Sequence, residues 1–207
     1  MKRKKIIKLK LSGKVEKLIN FLFEWRILKY LPRASLPYLK TPLSENVAEH
    51  TLFTTIIGWI LAKLENANED KVIKMSLIHD LAEARGGERN LINKFYTQPT
   101  NEPKIVKEIS ESYQLKDFNL PKLFQEFFEE KTLEARIVKD ADVLAGMLLE
   151  KEVFDLGNEK AKKWLVVSLS RLKLKKAKEL GELLIKTDSD SWWLKILKKY
   201  ILLTKFL

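Results

Sequence analysis

The chain has no cysteine and only two histidines among its 207 residues. Without cysteine there is no disulfide frame and no thiolate metal site, so any metal must be held by nitrogen and oxygen. The lack of cysteine also fits a cytoplasmic location. Long uncharged apolar runs are missing too. Lys8 and Lys10 interrupt the stretch after the basic start Met1-Lys2-Arg3-Lys4-Lys5, so no signal-peptide core forms. Nothing approaches the roughly 18 apolar residues that a membrane span requires, and no membrane partner is expected. Alternating strand patterns and internal repeats are absent as well.

Charge of one sign is in excess. Lys and Arg outnumber Asp and Glu by 39 to 28, a formal charge of +11. Such a balance favours phosphate-bearing partners, although a solvated lysine-rich surface accounts for most of it. The length suits one domain with a substantial core.

Apolar residues recur at helical spacing almost throughout, which predicts an all-α chain. A helix is expected over 15–31, and a proline-broken loop from Pro32 to Pro42. The next helix opens at the capping pair Asn46 and Glu49 and runs to about Glu65. Another covers Lys71 to Glu83 and stops at Gly86-Gly87. Short helices are expected near 103–113 and 121–130, and a long one from Thr132 to about Phe154. A further helix should span 158–181, stopping near Gly181 or continuing to Ile185. The last begins after Asp188-Ser189-Asp190, and its stretch Trp192 to Leu207 reads as amphipathic.

The two histidines carry the chemistry. His50 sits in the first turn of its helix, and His79 is followed directly by Asp80. Imidazole and carboxylate together suit a divalent transition metal and leave room for water. His79 and Glu83 are four apart and should share a helix face. A further carboxylate is needed from later in the chain, and Asp140 and Asp142 are the candidates. Both lie mid-helix, where burial is costly unless the group is paired or metal-bound. Periodicity does not choose between them.

Three ordered motifs resemble those of the HD-domain metal-dependent phosphohydrolases, closest to the 5′-deoxynucleotidase branch. They are Glu45-Asn46-Val47-Ala48-Glu49-His50, Ile78-His79-Asp80-Leu81-Ala82-Glu83 and Ile137-Val138-Lys139-Asp140-Ala141-Asp142. The resemblance implies a helical-bundle HD domain over about 15–160, between a basic segment 1–14 and a C-terminal helical extension 161–207. That extension would pack on the same domain or on a dimer partner. It implies His50, His79, Asp80 and Asp142 as metal ligands, choosing Asp142 over Asp140, with Asp80 also counted among the catalytic residues. The metal would be manganese, cobalt or another transition ion, with magnesium possible. Pro32-Arg33 stands at the family's distance before His50, which implies a phosphate-binding and catalytic Arg33, while Glu83, also catalytic, would orient Arg33 and assist proton transfer. Glu88 stands where the family has a sugar-selecting aspartate, and Leu36 where it has a tryptophan. Both departures predict a weaker deoxy preference and broad base tolerance. The implied reaction is hydrolysis of (deoxy)nucleoside 5′-monophosphates by a cytoplasmic homodimer, with nucleic acid not expected as a partner. A phosphohydrolase acting on nucleoside triphosphates or phosphodiesters, or a slow nucleotide- or nucleic-acid-binding protein, is the alternative.

Overall fold

The computed structural model describes residues 2–204, with side chains described over 13–201. The far end of the 192–207 tail and the side chains of the basic start lie outside the described residues. Helix α1 runs Lys2–Trp25 and passes into a 3-10 turn at Arg26–Tyr30. Then come α2 (Leu36–Leu39), α3 (Val47–Leu64), α4 (Glu69–Ile78), α5 (Glu83–Gly86) and α6 (Leu91–Tyr96). They are followed by α7 (Glu102–Ser112), α8 (Leu120–Glu129), α9 (Leu133–Asp155), α10 (Ala161–Arg171), α11 (Lys175–Lys186) and α12 (Ser191–Thr204). Among the described residues the only extended pairing is an isolated bridge between Pro32 and Asn46.

Helix α9 is the axis of the bundle. Thr132 caps it by accepting from Ala135 N at 3.2 Å. Its Ile137, Val138, Ala141 and Leu144 join Leu61 of α3 with Val72 and Met75 of α4 in one buried cluster. Gly58 lets α3 approach closely. A Cβ there would stand 2.9 Å from Ser76 Oγ of α4 and 3.7 Å from Ala141 Cβ of α9. No larger residue allows that approach, which sets the three helices carrying His50, His79 and Asp142 side by side.

Three expectations need correction. First, the regular helix begins at Lys2 rather than near Val15, and its last stretch tightens into the 3-10 turn instead of continuing to Leu31. Second, the helix expected over Lys71 to Glu83 stops at Ile78. His79 caps α4, and Glu83 opens the separate one-turn α5. The Ser76 carbonyl, which a continuing helix would offer to the Asp80 N–H, accepts from His79 Nδ1 at 2.7 Å. His79 and Glu83 therefore do not share a continuous helix face. Third, the helix expected over 158–181 divides at Leu172–Leu174. Asp140 accepts from Lys173 N at 3.0 Å and Leu174 N at 2.7 Å, and it pins the chain extended there.

Candidate metal and phosphate site

The capping box at Asn46 opens α3. Asn46 accepts from Glu49 N, and Glu49 accepts from Asn46 N, both at 3.0 Å. This fixes His50 in the first turn, where it is fully buried. Its Nε2 lies 2.9 Å from Asp142 Oδ1 and 3.4 Å from Thr54 Oγ1. On the other side of the ring, Nδ1 is buried without a hydrogen bond, 4.0 Å from Glu45 Oε1. Glu45 belongs to the first motif, yet no role was read for it. It stands where a carboxylate orients a ligating imidazole.

His79 is 2% exposed, and Phe127 packs edge-on to its ring with the centroids 5.9 Å apart. Donation from Nδ1 to Ser76 O leaves Nε2 free as a lone-pair donor. Nε2 stands 3.0 Å from Asp80 Oδ2, and both atoms are buried without a hydrogen bond. Asp80 Oδ2 is also 4.0 Å from His50 Nε2. His50, His79 and Asp142 each offer one atom within 4.8 Å of the others. The unpaired buried His79 Nε2 and Asp80 Oδ2, beside the His50–Asp142 pair, fit a cation that all four groups would share. Burial and the nearby Arg33 charge both lower the His50 pKa, so the ring is held neutral, the form that ligates. Burial works to raise the Asp142 pKa, but its hydrogen bond to His50 and the nearby Arg33 charge help hold it well below the usual carboxylate range.

Asp140 is elsewhere. Its side chain is 1% exposed and is occupied by the backbone of Lys173 and Leu174.

Arg33 is held from both sides. The Pro32–Asn46 bridge, with Arg33 N donating to Glu45 O and Val47 N to Leu31 O, both at 2.9 Å, ties its loop to the start of α3. Its Nη1 meets Glu88 Oε1 at 3.1 Å. The other Glu88 oxygen accepts from Ala34 N, and Asn90 Nδ2 donates to Ala34 O at 2.7 Å. The orienting contact expected from Glu83 is thus made by Glu88. Burial works to lower the Arg33 pKa, but Glu88 and Asp80 raise it above its ordinary value, so Arg33 stays charged. Glu83 has a buried oxygen without a partner. Burial and the neighbouring Asp80 and Glu88 push its carboxyl up to about 10.

Arg33, Asp80, Glu83, Glu88 and Asp142 line a cleft with an empty volume of about 900 Å³, counting the open solvent at its mouth. Ser35 lines it but Leu36 does not. Leu36 packs instead on a small cluster of Leu39, Leu149 and Val153. Trp164, Glu150 and Ser168 line it as well. The sequence reading missed all three, although Glu150 lies eight residues after Asp142, on the same helical face.

An HD domain family model matches residues 26–183. A protein of Dictyostelium discoideum named as a 5′-deoxynucleotidase is 32% identical over 169 residues, covering 68% of this chain and 83% of that protein. A Vibrio vulnificus protein, also named as a 5′-deoxynucleotidase, is 29% identical over 156 residues, covering 66% of this chain and 78% of its own length. A solved structure of a conserved hypothetical protein from Pyrococcus furiosus shares the fold. Its TM-score is 0.67 at 24% identity, with 82% of this chain and 99% of that one covered. The family match spans the loop of Arg33, both histidines and the whole of α9, so the chain belongs to the HD domain family and is a metal-dependent hydrolase.

Proposed function

We propose that the protein hydrolyses nucleoside 5′-monophosphates, deoxynucleotides before ribonucleotides, to nucleoside and phosphate. The observation that carries this reading is the convergence of His50, His79 and Asp142, with the buried and unpaired His79 Nε2 and Asp80 Oδ2 among them, beside a charged Arg33. Those four residues are the proposed ligands, with manganese or cobalt as the ion and magnesium also accepted. Such an ion supplies Lewis acidity to water and to the phosphoryl oxygens. Arg33 grips the non-bridging phosphate oxygens through its fork of N–H donors, and Glu88 holds the guanidinium in that orientation. In this reading Glu83 exchanges a proton with the attacking water, whose oxygen joins phosphorus as the bond to the 5′ oxygen breaks. The nucleoside leaves with the proton that its oxygen requires.

Both oxygens of Glu88 have protein partners, so sugar recognition rests on few contacts and the deoxy preference is small. The exposed apolar residues Leu52, Phe53, Ile56, Trp59 and Ile60 on α3 support a homodimer. No helix among the described residues is long and apolar enough to cross a membrane, and we place the enzyme in the cytoplasm. Phosphate release is the test, using dAMP, dCMP, dGMP, dTMP, AMP, UMP and dATP with Mn²⁺, Co²⁺ or Mg²⁺, before and after chelation. Metal-dependent release from the monophosphates is expected. Release from the triphosphate alone would overturn the reading.

A further inference from the structure

The cleft continues well past the phosphate end. Its floor follows one face of α9 through Asp142, Gly146, Leu149 and Glu150. Eight residues of α-helix rise about 12 Å. That is the scale on which a nucleotide reaches from phosphate to base. Trp164 and Ser168, four apart on α10, form the facing wall.

Two features at this end have no packing explanation. The first is Gly146. A Cβ there would meet nothing within 4 Å, so no neighbour demands glycine. Glycine inside a helix costs about 1 kcal/mol relative to alanine. What it leaves is open space midway along the cleft. The second is Glu150, which lines the cleft and is 8% exposed. One of its oxygens accepts from Ser168 Oγ at 2.9 Å, while Oε2 is buried with no partner. A carboxyl buried only for structure would have both oxygens satisfied, because an orphaned one is costly. The terminal carboxyl torsion is soft, so Oε2 turns toward the cleft at little expense.

Resting on the nucleotidase reading, we propose that Glu150, backed by Ser168, determines base specificity by accepting hydrogen bonds from the N–H edge of a nucleobase, while Gly146 leaves room for the sugar. Adenine, cytosine and guanine offer exocyclic amines to such an acceptor. Thymine and uracil offer one ring N–H flanked by two carbonyl oxygens, which the carboxylate repels once it is ionised, above about pH 7. The enzyme therefore selects amino-bearing bases, in contrast to the broad base tolerance expected from the motifs.

The test compares wild type with Glu150→Ala and Glu150→Gln on dAMP, dTMP and the base-free probe deoxyribose 5-phosphate. Both kcat/KM and calorimetric binding to metal-free protein are measured. Wild type should favour dAMP over dTMP about tenfold. Glu150→Ala should erase that ratio while holding deoxyribose 5-phosphate within about twofold, which also reports that the variant is folded. Equal loss on all three probes would mark Glu150 as structural, and an unchanged dAMP-to-dTMP ratio would remove it from base recognition. Either result overturns the inference. If Glu150→Ala does not fold, the near-isosteric Glu150→Gln is read against the same ratio. Base-selective binding without any hydrolysis would defeat the nucleotidase reading and leave the base site standing. Hydrolysis with an unaltered base ratio in the variants would do the reverse.

Discussion

Replacing Asp140 by alanine separates a structural carboxylate from a ligating one two residues away. In the folded protein Asp140 accepts from Lys173 N at 3.0 and 3.1 Å and from Leu174 N at 2.7 Å, where α10 ends and α11 begins. Hydrogen bonds to a charged group contribute about 1.5–3 kcal/mol each, and the partly buried N–H groups left behind recover some of that loss from water. We expect a destabilisation of about 2–4 kcal/mol for Asp140→Ala. In a chain of this size that lowers Tm by roughly 5–15 °C. Asp140→Asn keeps one acceptor oxygen and should recover about half. The assays are urea unfolding in chelator, so that metal does not contribute, and metal content by elemental analysis of protein reloaded with Mn²⁺. Asp140→Ala should bind about one ion per chain, whereas Asp142→Ala should bind none. A folded Asp140→Ala protein that has lost its metal, or one as stable as wild type, would refute the assignment of the two aspartates.

Metal removal should itself destabilise the fold, because the ligands converge only in the native state. An ion present at a hundred times its Kd contributes about 2.7 kcal/mol, a Tm change of several degrees. His79→Ala should melt identically with and without Mn²⁺, and a persisting response would place the ion elsewhere. Glu83→Gln should keep fold and metal but lower kcat by about 10²–10⁴-fold, and Arg33→Ala should act mainly on KM. A fully active Glu83→Gln enzyme would remove Glu83 from proton transfer. The Glu150 carboxyl is pushed up to about 7 from 4.5, mainly by burial. Between those values the native state keeps a proton that the unfolded chain has released, so stability falls as pH rises through that window and levels off above it. The loss is on the order of 3 kcal/mol. Glu150→Gln, measured in chelator, should flatten that slope, and parallel pH curves for the two proteins would refute it.

The helical class and most boundaries were legible because the apolar periodicity is local. So was the capping box that seats His50, since Asn46 and Glu49 are three residues apart. The misreadings were made by side chains acting over distance. The split at Leu172–Leu174 is made by Asp140, more than thirty residues earlier, while the apolar pattern runs on across it. The stop after Ile78 comes from a histidine ring taking a backbone carbonyl, which no propensity encodes. Arg33 finds Glu88 rather than Glu83 because the bridged loop brings them together, a contact with no periodic signature. Choosing Asp142 over Asp140 needed motif resemblance, since the two lie at similar angles to the apolar face. Glu150 was readable in principle, two helical turns beyond Asp142, but only once that face was known to border a cleft.

The 92-residue separation of His50 and Asp142 also governs when the site can exist. At roughly 5–20 residues per second, a ribosome needs roughly 5–20 seconds to add the second after the first. From the addition of His79 onward, the nascent chain has both imidazoles without the carboxylate of α9 that faces them. Whatever ion it meets then is held weakly and exchanges freely. Lasting metal choice therefore falls to the released, folded chain, and it follows the ion supply of the compartment where folding finishes.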